Sequence, residues 1–400
     1  MNRIRTSLLL PALLLTQAGA AVASATWYVN GVTGSDSNNC TSSQTACRTI
    51  GHAISRAASG DFIMVAASTY NENPTISISL EVIGSGAATA IIDGGGTGTV
   101  VTISSASAHV TLSGLTIRNG SALNGGGISN GGILTLVSSN VSGNTAGCST
   151  NYCYALGGGI YNNGGTVTIN NSTISGNRAW GPQNRAAFSF GGGISNDDGT
   201  LTINNSTLSG NWARFAGGGI SNGGTLRINN STLNGNHAGG VFGGGQGGGI
   251  ADGGTLTINN STLSGNSTSF RGQGGGIFIY SSAVAPTLQN SIVANSPGGS
   301  NCYGTMNSNG YNLSSDNTCK FSGPGDLNNT DPKLGTLGYY GGPTQTIPLL
   351  SGSPAIDAGN PSGCTDGQGN LLKTDQRGMP RPDREDRSGC DMGAYESQRD

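Results

Sequence analysis

Residues 247–266 read GGGIADGGTLTINNSTLSGN, and residues 217–236 read GGGISNGGTLRINNSTLNGN. The same unit recurs at Gly125–Asn144, Gly157–Asn177 and Gly191–Asn211, and a degenerate copy runs from Gly274 through Gln289-Asn290-Ser291 to Asn295. A unit this short cannot bury its own apolar side, so copies must stack on one another. Aligned, the copies give four apolar columns. Ile128, Ile160, Ile194, Ile220, Ile250 and Ile277 form the first, and Leu134, Val167, Leu201, Leu226 and Leu256 the second. Two residues on come Leu136, Ile169, Ile203, Ile228 and Ile258, and then Val141, Ile174, Leu208, Leu233 and Leu263. Period-two alternation of aliphatic and Thr residues specifies strands rather than helices. Short strands stacked coil upon coil, about 4.8 Å apart, make a parallel β-helix.

Polar columns accompany the apolar ones. Asn144, Asn177, Asn211, Asn236 and Asn266 recur at one turn. Asn accepts left-handed backbone and bonds within its own turn, so this column reads as a stacked Asn ladder. The N-x-S/T sequons are its by-products. Aligned from the following strand, Asp197 and Asp252 share a second turn column with Asn130, Asn163 and Asn222.

Outward from the repeats, residues 1–25 read as a secretory leader. Arg3 and Arg5 precede an apolar run, and Ala23-Ser24-Ala25 forms an A-x-A cleavage site. Residues 26–120 are expected to form an N-terminal cap and the first coils, with one helix over Thr49–Ala58 whose Ile50, Ala53, Ile54 and Ala57 share a face. Strand-like runs follow at 62–66, 76–83, 90–92, 100–103 and 110–117. Residues 121–296 hold the repeat, and 297–400 an irregular C-terminal cap whose Asp375, Arg377, Arg381, Asp391 and Glu396 should pair internally. The eight Cys fall in neighbouring pairs: Cys40 with Cys47, Cys148 with Cys153, Cys302 with Cys319, and Cys364 with Cys390. An even count in an exported chain predicts four local disulfides in that order. No C-x-x-C occurs and His52, His109 and His237 are scattered, so no metal site and no cofactor are expected.

Of 400 residues 71 are Gly and only 10% are charged, with net charge −2, against about 7% Gly and 25% charged residues in ordinary domains. Nucleic-acid binding, which needs a basic patch, is excluded. Collagen and coiled coil fail for want of their periods. The leader's apolar run is interrupted at Pro11, Thr16, Gln17 and Gly19, which argues against a membrane span.

The stacked GGGI…NNSTLSGN units resemble the pectin-lyase-like right-handed β-helix superfamily and the GG-(A/V/I) repeats of polymorphic outer-membrane proteins. Toward the end, Asp331-Pro332-Lys333-Leu334-Gly335, Gly352-Ser353-Pro354-Ala355-Ile356-Asp357-Ala358-Gly359, Asp375-Gln376-Arg377-Gly378 and Asp391-Met392-Gly393-Ala394-Tyr395-Glu396 resemble the choice-of-anchor Q domain of bacterial surface proteins. These resemblances imply an all-β, right-handed parallel β-helix of a bacterial protein, secreted or held at the cell surface. Only Ser397–Asp400 follow the last motif, so a freely secreted, monomeric product is expected.

Polysaccharide-cleaving relatives would need clustered carboxylates, a basic Arg or Lys, or calcium. The main repeats carry only Asp197, Asp198 and Asp252, and no catalytic residue is assigned. The GxSxG matches at 127–131 and 219–223 lie inside strands and lack the strand-to-helix turn of a nucleophile elbow. Chemistry-bearing residues gather instead in the loops between the Asn ladder and the next GGGI: Trp180, Arg185, Phe188 and Phe190; Trp212, Arg214 and Phe215; His237 and Phe242; Phe270 and Arg271. A fixed insertion point should bring these loops out on one side. Aromatic and Arg side chains are enriched where proteins bind partners. The expected function is therefore adhesion, or binding of a polysaccharide or surface partner. A polysaccharide lyase or glycoside hydrolase using loop Arg and His residues is the alternative.

Overall fold

The computed structural model describes residues 24–150, 153–181, 188–240, 244–281, 283–366, 368–383 and 389–398. The leader through residue 23, Arg185 and Phe242 lie outside them. One coil shows how the unit folds. Ile128–Asn130 enters a nine-stranded sheet, Ile133–Val137 an eleven-stranded sheet, Asn140–Ser142 a ten-stranded sheet and Thr145–Gly147 a six-stranded sheet. Strand pairing in these sheets is parallel and joins equivalent residues of successive coils: Ile128 faces Ile160, Leu134 faces Val167, Leu136 faces Ile169 and Val141 faces Ile174. The four columns thus become four buried stacks along the axis of a right-handed parallel β-helix. A buried aliphatic side chain contributes about 1.5–3 kcal/mol, so these stacks supply the main driving force.

The three corners of the coil are held differently. At the first, buried amides bond from coil to coil: Asn130 donates to Asn162 (2.8 Å), Asn162 to Asn196 (2.7 Å), Asn196 to Asn222 (2.7 Å) and Asn222 to Asp252 (2.6 Å). At the second, Asn171, Asn205, Asn230 and Asn260 have left-handed backbone, and each following Ser donates its N–H to the Ser hydroxyl one coil on, as Ser172 does to Ser206 (3.1 Å). The third corner carries the predicted ladder. There Asn144 donates both its backbone N–H and its Nδ2 to Asn177 Oδ1, each at 3.0 Å, and Nδ2 also reaches Ile117 O. The ladder Asn therefore bonds across coils rather than within its own turn. Left-handed φ falls on the preceding glycines, such as Gly143 and Gly176, where a Cβ would be strained.

Near the N-terminus the helix spans Ile50–Arg56, shorter than expected. Thr49 accepts from the N–H of His52, and Glu72 accepts from those of Ile50 (2.8 Å) and Gly51 (2.7 Å). Two of the expected strand runs turn corners midway. Thr75–Ile76 and Leu80–Gly84 are separate strands, as are His109–Ser113 and Thr116–Arg118, the latter pair split at left-handed Gly114.

All four local disulfides are present. Cys40 is bonded to Cys47, Cys148 to Cys153, Cys302 to Cys319 and Cys364 to Cys390. They serve different parts of the fold. Cys40 and Cys47 are buried beside the N-terminal helix, and the bridge of Cys148 and Cys153 closes a loop that leaves the six-stranded sheet. Cys302 and Cys319, both buried, tie the last strand of the nine-stranded sheet to the chain leaving the coils. Cys364 and Cys390, also buried, hold the C-terminal segment together.

After Leu313–Ser314 the chain turns back and lies along the outer face of the ten-stranded sheet. Gln376 is the hub of that contact: its Oε1 accepts from Thr232 Oγ1 (2.6 Å), and its Nε2 reaches Thr207 Oγ1 (3.0 Å) and Thr344 Oγ1 (2.9 Å). Arg381, buried, pairs with Glu396 (2.7 Å) and donates to Asn230 Oδ1 (3.1 Å). Arg377 pairs with Asp375 (2.7 Å) and lies 3.6 Å over the Tyr395 ring. Asp391 accepts from the N–H groups of Asp357 and Ser397. Asp375, Arg377, Arg381, Asp391 and Glu396 are thus held inside the fold.

Candidate loop-face binding site

The six-stranded sheet alternates strictly. Ala146, Ala179, Ala213 and Ala238 point inward and are buried; the preceding residues point outward. That outward column runs Thr145, Arg178, Trp212, His237, Ser267 in direct register. Arg178, Trp212 and His237 thus stand on neighbouring strands. Trp180, two residues past Arg178, is 44% exposed, and its indole lies across Gly147, where an added Cβ would meet Nε1 at 2.7 Å. Arg214 lies over Gly240 and donates to the carbonyl of Gly181, the residue after Trp180, at 2.6 Å. The His237 ring is held by two hydroxyls, Ser267 at Nδ1 (2.9 Å) and Ser269 at Nε2 (3.2 Å). Burial pushes its pKa below the ordinary value, which favours the neutral ring.

The other predicted residues do not all join this face. Phe188, Phe190 and Phe215 pack on one another, and Phe188 and Phe190 also on Tyr154, with ring centroids 4.9–6.4 Å apart. Tyr154–Leu156 and Phe188–Phe190 form a separate two-stranded sheet that carries this cluster. Phe270 is 76% exposed and has the Arg271 guanidinium 5.2 Å above its ring. The structure therefore gathers Trp180, Trp212, Arg214 and His237 and adds Arg178 to them, while Tyr154 joins the separate phenylalanine cluster. Arg178 was findable: like Trp212 and His237, it directly follows a ladder Asn.

Asp197 and Asp252 do not share a column. Asp252 registers with Asn222, whose column continues through Asn196 and Asn162, whereas Asp197 registers with Asn163 one residue later. The turns after Asn162 and Asn196 are one residue longer, and a one-residue offset moves a side chain to the other face. Asp252 is accordingly buried as the last rung of the amide stack, with its pKa raised by burial. Asp197 is exposed and accepts from the Tyr161 hydroxyl at 3.3 Å. The two cannot act as a pair. His52 lies beside Cys40 and Cys47, but both sulfurs are spent in the disulfide.

The fold is that of a right-handed parallel β-helix, and solved structures of the same fold are found among polysaccharide-acting proteins. Pectate lyase Pel9A superposes with a TM-score of 0.58 over 94% of this chain and 97% of its own, at 15% identity. Pectin methylesterase PemA from Erwinia chrysanthemi aligns over 74% of this chain and 82% of its own (TM-score 0.31, 14% identity). The GH136 lacto-N-biosidase from Eubacterium ramulus aligns over 72% of this chain and 60% of its own (TM-score 0.30, 11% identity). No protein-family model and no curated protein matches the chain. The likeness to the pectate lyase carries the fold alone.

Proposed function

We propose that this is an extracellular protein that binds polysaccharide through the outer face of the six-stranded sheet without cleaving it. One observation carries the reading: Arg178, Trp212 and His237 stand in register on adjacent strands, flanked by exposed Trp180 and by Arg214. Indole faces suit the apolar faces of sugar rings, and guanidinium forks suit their hydroxyl, carboxylate or sulfate groups. Hydrolysis needs two opposed carboxylates about 5–9.5 Å apart, and the repeats' acids, Asp197, Asp198 and Asp252, lie at the turn out of the nine-stranded sheet rather than on this face. The disulfides suit an oxidising compartment.

The test is affinity electrophoresis of the purified chain through gels containing pectin, alginate, xylan or galactan. Retardation is expected on at least one polymer. Replacing Trp180 and Trp212 together by Ala should weaken it by about tenfold or more, with the melting transition unmoved. Unchanged retardation of the double variant, or release of shortened sugars on incubation, would overturn the reading.

A further inference from the structure

A second concave site lies on the outer side of the nine-stranded sheet in its last coils, where the loops ending at Gln246 and Gln273 meet it. Residues just ahead of each GGG stack as Leu156, Phe190, Ala216, Gln246 and Gln273. The column begins at Asn124 beside Leu156, is apolar from Leu156 to Ala216 and becomes amide-bearing again at Gln246 and Gln273. Where it turns to glutamine a cavity of about 540 Å³ opens, within the range of about 300–1,000 Å³ usual for small-ligand sites. Phe278, Tyr280 and Tyr303 supply its aromatic wall. Tyr303 stacks on Phe278 with centroids 5.0 Å apart and planes 2° from parallel, while Tyr280 meets Phe278 edge-on at 4.9 Å. Tyr303 nevertheless stays 43% exposed. Packing has fixed its ring without covering it.

The polar groups are equally placed. The Tyr280 hydroxyl donates to Gln246 Oε1 at 2.9 Å, which orients that amide and leaves its Nε2 without a partner among the described residues. Gln273 is exposed, and its side chain makes no hydrogen bond among the described residues. Among the described residues, the lining holds no carboxylate, imidazole, ammonium or guanidinium. Burial pushes the Tyr280 phenol up to about 12, so it remains a neutral hydroxyl throughout the physiological range.

We infer that this cavity is a binding site for an uncharged pyranose ring, stacked on Tyr303 and hydrogen-bonded through its hydroxyls to the amides of Gln246 and Gln273. An amide can donate and accept, as a sugar hydroxyl does, and an aromatic wall covers the ring's C–H face. A uronate or sulfated sugar would bring a charge into a cavity with no countercharge, and desolvating an unpaired charge is costly. The site shares no residue with the loop face and does not depend on it.

The experiment is isothermal titration of the full chain with cellohexaose, xylohexaose, mannohexaose and hexagalacturonate. At least one neutral hexaose should bind, and hexagalacturonate should not displace it. Tyr303→Ala should weaken that binding by about tenfold or more. Gln273→Ala, at an exposed position whose loss cannot unfold the protein, should weaken it several-fold, while the Trp180 and Trp212 double variant should leave it unchanged. Three results would overturn the inference: no neutral hexaose bound, equal displacement by hexagalacturonate, or binding lost in the tryptophan variant but kept in Tyr303→Ala. The last would move the site to the loop face, and so separates this inference from the proposed function.

Discussion

Replacing Asn211 by Ala removes the middle rung of the third-corner ladder. Asn211 is fully buried. Its Oδ1 accepts from both the backbone N–H and the Nδ2 of Asn177 (3.0 Å each), and its Nδ2 donates to Ile174 O and Asn236 Oδ1 (2.9 Å each). Ala would strand two buried N–H donors of Asn177 and strip one donor from the Ile174 carbonyl. A buried polar group left unpaired costs about 1–3 kcal/mol, so the two donors alone cost about 2–6 kcal/mol, and the void adds to this. A loss of about 3–5 kcal/mol is expected. The contrast is Asn204→Ala in the same coil. Asn204 makes the same kind of coil-to-coil amide bonds, to Asn170 and from Asn229 at 3.0 Å, but on the half-buried outer side of the eleven-stranded sheet. Water can replace its partners, so its loss should cost less than about 1 kcal/mol. Guanidinium unfolding of both variants, compared at equal m-value, decides the matter. Costs within about 1 kcal/mol of each other would refute the claim that burial gives the inner ladder its weight.

Two further outcomes concern the C-terminal segment. Burial, and then the neighbouring Glu396, pushes the Asp391 carboxyl up to about 7 from an ordinary 3.8. The folded chain thus holds this proton more tightly than the unfolded one. Its contribution to stability is complete below pH 4 and is lost as pH rises through about 7; Asp391→Asn should flatten the fall in melting temperature between pH 4 and 7, and an unchanged slope would count against it. The Cys364–Cys390 bridge spans a sequence separation of 26, worth about 3.5 kcal/mol by loop-closure entropy. Replacing both by Ser should make the segment after residue 364 the first site of limited proteolysis, while cleavage first within the repeats would contradict that.

The repeat was legible because a solenoid copies sequence period into space. Each coil meets only its neighbours, so equivalent residues become contacts: Ile194 faces Ile220 and Asn211 bonds Asn236. The loop face was half-legible. Trp180, Trp212, Arg214 and His237 stood out as residue types, yet Phe188 packs on Tyr154 and on Phe215 in a separate half-buried cluster, because large apolar rings leave water when partners lie within reach.

By itself the amino-acid sequence determined the strand order, the apolar stacks, the inner ladder and the local disulfides, from Cys40 and Cys47 through Cys148 and Cys153 to Cys302 and Cys319, all of them relations between near neighbours. The tertiary structure alone decided what depends on phase or distance. One extra turn residue put Asp197 on a different face from Asp252, because strand side chains alternate with period two. Gln376 meets Thr207 across 169 residues, a contact no repeat announces. The cavity of Gln246, Phe278, Tyr280 and Tyr303 exists only because three successive coils lay their side chains over one another at the spacing of a parallel sheet.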